Sequence, residues 1–179
     1  EYADTCFVQN NIEEIAALEQ QWQPGLRAMY FSGDQTNVFK RPLQLRYEHG
    51  LEFNWGTRAP IPGHPADFLG IRVDGLLRIE KAGAYEFLLK ADDDLSVQLG
   101  GTRMTTKGCG QDTVLKVNLT SGEQVLKIVY REITGDAYWL LRWKPPGKGE
   151  FEAIPKDALY YRTDAALQSL QQDRPVVLP

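Results

Sequence analysis

The sequence predicts an all-β protein, an antiparallel β-sandwich or barrel with short helical N- and C-terminal extensions. Many short segments alternate apolar and polar residues with period two. Clusters of Gly, Pro, Asn and Asp separate them, and no helical pattern intervenes. Helical spacing is confined to the two ends. At 179 residues, 42% hydrophobic and 25% charged, the chain suits one well-buried core in an ordinary globular domain.

Residues 1–24 read as an N-terminal helical extension: Ile12, Ile15 and Leu18 or Trp22 fall at helical spacing, Asn10 or Asn11 can cap, and Pro24-Gly25 ends the run. From Gly25 the pattern is β. Residues 25–31, 43–47 and 51–56 read as strands, and a loop with Pro60, Pro62, Gly63 and Pro65 follows. Residues 68–79 resume the sheet, and Lys81-Ala82-Gly83 turns into the alternation of Tyr85, Phe87 and Leu89. Leu95, Val97 and Leu99 alternate next, before a tight reversal at Gly100-Gly101. Residues 114–119 and 124–130 are expected to form a hairpin across Thr120-Ser121-Gly122-Glu123, and 137–143 form the last long strand. After Ile154-Pro155 a short strand runs to about Tyr161. Residues 162–179 read as a terminal helix, over Asp164 through Gln172, and a tail or linker. The domain therefore spans 25–161.

One stretch stands out for its charge. Asp92, Asp93 and Asp94 are consecutive and lie between two apolar alternations, so three carboxylates crowd one strand-to-strand connection. A regular strand points neighbouring side chains to opposite faces, so two adjacent aspartates hold one ion only where the backbone leaves strand geometry.

Composition excludes several classes. A net charge of -4 with no Lys/Arg-dense run lacks the basic footprint of a nucleic-acid binder. No apolar run is long enough for a membrane span. His49 and His64 are too few and too far apart for a triad, and no Ser or Cys lies in a nucleophile-elbow context, so no catalytic residue is assigned and the chain reads as a non-enzyme. Cys6 and Cys109 are too few for a disulfide scaffold and too isolated for a zinc site of C-x-x-C type. Two readings remain open for them: one bridge in an oxidising compartment, or two small unpaired thiols.

Several landmarks follow one another in order: Gly25-Leu26-Arg27-Ala28-Met29-Tyr30-Phe31, Phe53-Asn54-Trp55-Gly56, Phe68-Leu69-Gly70-Ile71-Arg72-Val73-Asp74-Gly75 and Gly83-Ala84-Tyr85-Glu86-Phe87. Ala91-Asp92-Asp93, Leu119-Thr120-Ser121-Gly122-Glu123, Val129-Tyr130-Arg131-Glu132, Leu141-Arg142-Trp143 and Ile154-Pro155 continue the series. This string resembles the protective-antigen fourteen (PA-fourteen) domain family, a β-sandwich module also found in glycosidases, bacterial surface proteins and flocculin-type adhesins. The resemblance covers about residues 25–161.

The resemblance implies a use for the acidic stretch. In lectin-like members two adjacent aspartates, joined by a cis peptide, hold a calcium ion that in turn holds sugar hydroxyls; Asp92 and Asp93 fall on that pair. A second loop completes the shell, and here it is the turn carrying Glu132, Thr134 and Asp136, the last two through backbone carbonyls. Calcium takes six to eight oxygen ligands, more than two aspartates supply. The adhesins have Asn where this chain has Glu132, and the commoner pattern has Gly where it has Asp94. Asp92, Asp93, Asp94 and Tyr138 are the expected ligand contacts, with selectivity added by the 105–113 segment. The implied function is calcium-dependent carbohydrate binding by a non-catalytic module of an extracellular, surface or periplasmic protein. A module that docks or spaces neighbouring domains, or an appendage of a glycoside hydrolase, is the alternative.

Overall fold

The structure, a computed structural model, describes residues 22–162. The helix expected before Trp22, the C-terminal helix expected over 164–172 and Cys6 lie outside the described residues.

Among the described residues thirteen strands follow in chain order: β1 (Trp22–Pro24), β2 (Leu26–Asp34), β3 (Asn37–Glu48), β4 (Glu52–Gly56), β5 (Leu69–Ile79), β6 (Gly83–Asp92) and β7 (Asp94–Leu99). They continue with β8 (Thr102–Thr105), β9 (Thr113–Leu119), β10 (Gly122–Glu132), β11 (Ala137–Lys144), β12 (Glu152–Ala153) and β13 (Leu159–Arg162). They build two antiparallel sheets, one of eight strands and one of five. In the first, β10 lies between β5 and β7, β8 forms the edge beyond β7, and the other side of β5 is shared by β2 and β13. In the second, β6 lies between β9 and β11, and β4 and β12 share the far edge of β11.

Period-two patterning makes the core. Tyr85, Phe87, Leu89 and Ala91 of β6 point inward, as do Ala137, Trp139, Leu141 and Trp143 of β11. Leu126, Ile128 and Tyr130 of β10 meet them from the other sheet, with Leu69, Ile71, Val73, Leu77 and Ile79 of β5. Each fully buried side chain of this size contributes about 1.5–3 kcal/mol. Trp139 packs between Phe53 and Tyr130, at centroid distances of 4.8 and 6.2 Å. Together these rings join the sheets.

Two expectations need correction. Trp22, Gln23 and Pro24 do not close a helix: they pair with Arg162, Tyr161 and Tyr160, so the sheet begins three residues before Gly25. Pro24-Gly25, read as a helix end, is a pattern that the end of an edge strand uses equally well. Nor do 114–119 and 124–130 form a hairpin. β9 pairs with β6, whereas both edges of β10 are taken by β5 and β7, and Gly122, at φ 109°, turns the chain from one sheet to the other. The reversal at Gly100-Gly101 does form a hairpin, with Leu99 opposite Thr102.

Four connections cross between the sheets at one end of the sandwich: 57–68, Asp93, 106–112 and 133–136. The registers bring them together, since Asp92 is opposite Tyr138, Asp94 opposite Arg131 and Glu132 opposite Leu69.

Candidate functional site

The acidic stretch occupies this end because β6 stops there in one sheet and β7 starts in the other. Asp92 is the last residue of β6 and Asp94 the first of β7, leaving Asp93 alone in the crossing. The Asp92–Asp93 peptide bond is cis, and both side chains are half-buried. Carboxylate oxygens of Asp92 and Asp93 and the sulfur of Cys109 all lie within 4.8 Å of one another.

Neighbouring backbone holds this group in place. Ile133 N donates to Asp93 Oδ2 at 2.7 Å, and Asp93 N donates to the Arg131 carbonyl at 3.3 Å, so the pair is tied to the exit of β10. From the other side Gly110 N donates to the Ala91 carbonyl at 2.7 Å, and the Cys109 thiol donates to Asp92 Oδ1 at 2.8 Å. Gly110 has φ 66°, and a Cβ there would lie 3.0 Å from the Tyr138 hydroxyl. A glycine thus lets the 106–112 loop close over Asp92 while Tyr138 flanks it.

Glu132 sits on the inner side. It continues the inward row Leu126, Ile128, Tyr130 to the end of β10, and none of its surface is exposed. Its Oε1 is buried without a hydrogen-bond partner among the described residues. The Tyr130 hydroxyl donates to the Asp92 carbonyl and lies 3.1 Å from Glu132 Oε2. Its single proton is shared between these two acceptors, so Oε1 is the Glu132 oxygen without a donor. Asp67 adds charge nearby while accepting from Gly135 N at 3.3 Å.

The electrostatics follow from this crowding. Burial, reinforced by the Asp93 charge and then by Asp92 and Asp67, pushes the Glu132 carboxyl up to about 7, against a smaller opposing effect of the Tyr130 hydroxyl. The hydrogen bond to Asp92 and partial desolvation push the Cys109 thiol up to about 11. Burial, then the Glu132 charge, drives the Tyr130 phenol far above its ordinary range. Among the described residues no Lys or Arg forms an ion pair with Asp92, Asp93 or Glu132. Adjacent carboxylates, a buried carboxyl oxygen without a donor and no cationic side chain make a donor set that fits a divalent cation.

Other expected site residues are placed differently. Asp94 is exposed at the start of β7 and stands outside the three-residue group. Thr134 and Asp136 are exposed in the 133–136 turn, where the Asp136 charge acts on the Tyr138 phenol. Cys109 carries a free, exposed thiol among the described residues, and its proposed partner Cys6 lies outside them. Sequence reasoning missed Cys109 and Tyr130 as parts of the site. The Tyr130 signal was legible: a period-two row running into Glu132 puts a phenol and a carboxyl side by side under the Asp pair.

A family model described as the PA14 domain matches residues 22–157. No curated protein matches the chain. Among solved structures, an anti-sigma factor domain-containing protein from Clostridium clariflavum aligns at TM-score 0.69 and 20% identity, over 79% of this chain and 48% of that one. The chain thus spans about half the length of that protein. The Epithelial Adhesin 9 A domain from Candida glabrata, in complex with Galβ1-4GlcNAc, aligns at 0.66 and 13%, over 81% of this chain and 92% of that one. The PA14 sugar-binding domain from an RTX adhesin aligns at 0.62 and 15%, over 77% and 98%. At these identities the likeness is one of fold.

Proposed function

Because this chain belongs to the PA14 domain family, we propose that it is a non-catalytic carbohydrate-binding module of a secreted or surface protein, gripping glycan hydroxyls through a calcium ion on Asp92 and Asp93. The observation that carries this reading is the convergence of the two carboxylates at one pole of the sandwich, above a buried Glu132 oxygen that lacks a donor. The names of two structural relatives, a sugar-binding domain and an adhesin holding a disaccharide, lend support.

In this reading Asp92 and Asp93 supply the outer carboxylate oxygens and Glu132 the inner one. The carbonyls of Thr134 and Asp136 complete the protein's share of a shell of six to eight oxygens. Bound calcium supplies a Lewis-acidic centre for vicinal hydroxyls. Tyr138 offers an aromatic face at the rim, and Asp94 and the 105–113 segment shape what fits beside it. Backbone donors from Ile133 and Gly110 keep the loops in register, so little ordering is left for the binding step.

A second reading, a module that docks or spaces neighbouring domains or serves a glycoside hydrolase as an appendage, draws on Glu132 itself. A carboxylate where the adhesins have Asn keeps an oxygen ligand but adds charge beside the sugar. Calorimetric titration of calcium into chelator-stripped protein should give a saturable heat that Asp92→Ala with Asp93→Ala abolishes; no heat from the unaltered protein sinks the metal reading. A glycan array with and without calcium then separates the two: calcium-dependent hits support the lectin, and a silent array with retained calcium heat supports the docking module.

A further inference from the structure

Cys109 changes what the Asp pair can hold. Its sulfur lies 2.8 Å from Asp92 Oδ1 and within 4.8 Å of an Asp93 carboxylate oxygen. Two ligands on one tetrahedral zinc, at about 2.0 Å for oxygen and 2.3 Å for sulfur, stand about 3.5 Å apart. The Cys109–Asp92 spacing is shorter than that value and all three donors lie within 4.8 Å of one another, so small side-chain movements seat them on one ion. Glu132 stands outside this three-donor group but adds to its charge: it is wholly buried, its Oε1 has no hydrogen-bond partner among the described residues, and its charge is felt at both Asp93 and Cys109. Such a side chain in so dry a place is costly without a proton or a cation.

We propose that Asp92, Asp93 and Cys109, backed by the buried Glu132 charge, form a mixed oxygen and sulfur site that takes a thiophilic divalent cation of the zinc class in competition with calcium, so that zinc switches off the sugar site. The inference rests on the reading of the Asp pair as a metal site and adds the sulfur. Calcium prefers oxygen and a large shell, whereas zinc gains from a thiolate and closes with four ligands. Zinc binding would therefore displace the thiol proton to solvent and draw Cys109 over Asp92, covering the face of the Asp pair that a sugar hydroxyl would approach. The exposed thiol gives the ion a way in.

Cadmium serves as the optical probe, because its bond to a thiolate absorbs in the ultraviolet. Titrated into the chelator-treated full chain, it should produce this band with saturation at a single equivalent, unchanged in Cys6→Ser and absent in Cys109→Ser. Zinc affinity, measured by competition, should fall more than about 100-fold in Cys109→Ser, beyond what an outer-shell partner is worth. Saturating zinc should abolish the calcium heat. A band that survives Cys109→Ser or depends on Cys6, or a calcium heat indifferent to zinc, overturns the proposal. Calcium heat without any band rejects the zinc inference alone, whereas a cadmium band without calcium heat rejects the calcium reading and leaves the sulfur site standing.

Discussion

Glu86 and Glu132 show what the two halves of this sandwich do with a carboxylate. Glu86 lies on the outward face of β6, six residues before Asp92, between Lys144 at 3.0 Å and Lys116 at 3.5 Å. Hydrogen bonding from Lys144, outweighing partial desolvation, holds its pKa below the ordinary glutamate value. Glu132 ends β10 on the inward face, has no cationic side chain paired with it among the described residues, and titrates near 7. The same residue type is neutralised by protein at one position and left for a proton or an ion at the other. Among the described residues Glu132 is thus the one fully buried carboxylate, and it lies at the crossover pole without a cationic partner. Elsewhere Arg142 pairs with Glu52 at 2.8 Å and Lys148 with Glu152 at 3.3 Å.

The largest expected break in this comparison comes from supplying the missing cation. Calcium at about 1,000 times its dissociation constant should stabilise the native chain by about 4 kcal/mol, or roughly 10 °C in Tm for a domain of this size. Scanning calorimetry with calcium and with chelator reads this directly. Asp92→Ala with Asp93→Ala should lose the calcium-dependent shift, while an equal shift in the double variant would place the stabilising ion elsewhere.

Glu132 itself provides the next effect. Its carboxyl titrates near 7 when folded and near 4.5 when exposed, so between those values the folded chain holds more protons than the unfolded one. The contribution of Glu132 to the stability of the ion-free protein is therefore fully present below about pH 4.5 and is lost as pH rises through 7, by on the order of 3 kcal/mol. Glu132→Gln should flatten that slope, raise ion-free stability at pH 8 and weaken calcium binding. Chemical denaturation at several pH values in chelator checks it, and a slope unchanged by the substitution refutes the assignment to Glu132.

Much of this was legible in the chain and some was not, for physical reasons. Alternation in 83–92 and 137–143 named the inward rows, because period two is set by the backbone itself. Partner choice is not local. Residues 114–119 and 124–130 look like a hairpin by spacing, yet β10 is claimed on both edges by strands distant in sequence. The Asp pair was conspicuous because three like charges are adjacent. Cys109, seventeen residues past Asp92, reaches it only because Gly110 lets the 106–112 loop fold back onto Ala91. Nothing in the spacing of one thiol and two carboxylates announces that return.

The smallest effect should come from Glu86, and its sign is what matters. A carboxyl with a depressed folded pKa adds stability above its unfolded pKa, and loses it as pH falls through the folded value, the opposite of Glu132. Lys116 is largely exposed and the group is open to solvent on one side, so salt should screen what remains. Glu86→Gln is accordingly expected to lower Tm only slightly at neutral pH and low ionic strength, with the difference shrinking in high salt and vanishing in acid. The calcium-dependent shift should persist in this variant. If Glu86→Gln instead matched Glu132→Gln in size or in the sign of its pH dependence, the contrast between a lysine-matched and an unmatched carboxylate would not describe this molecule. Glu86 and Glu132 would then differ in burial alone.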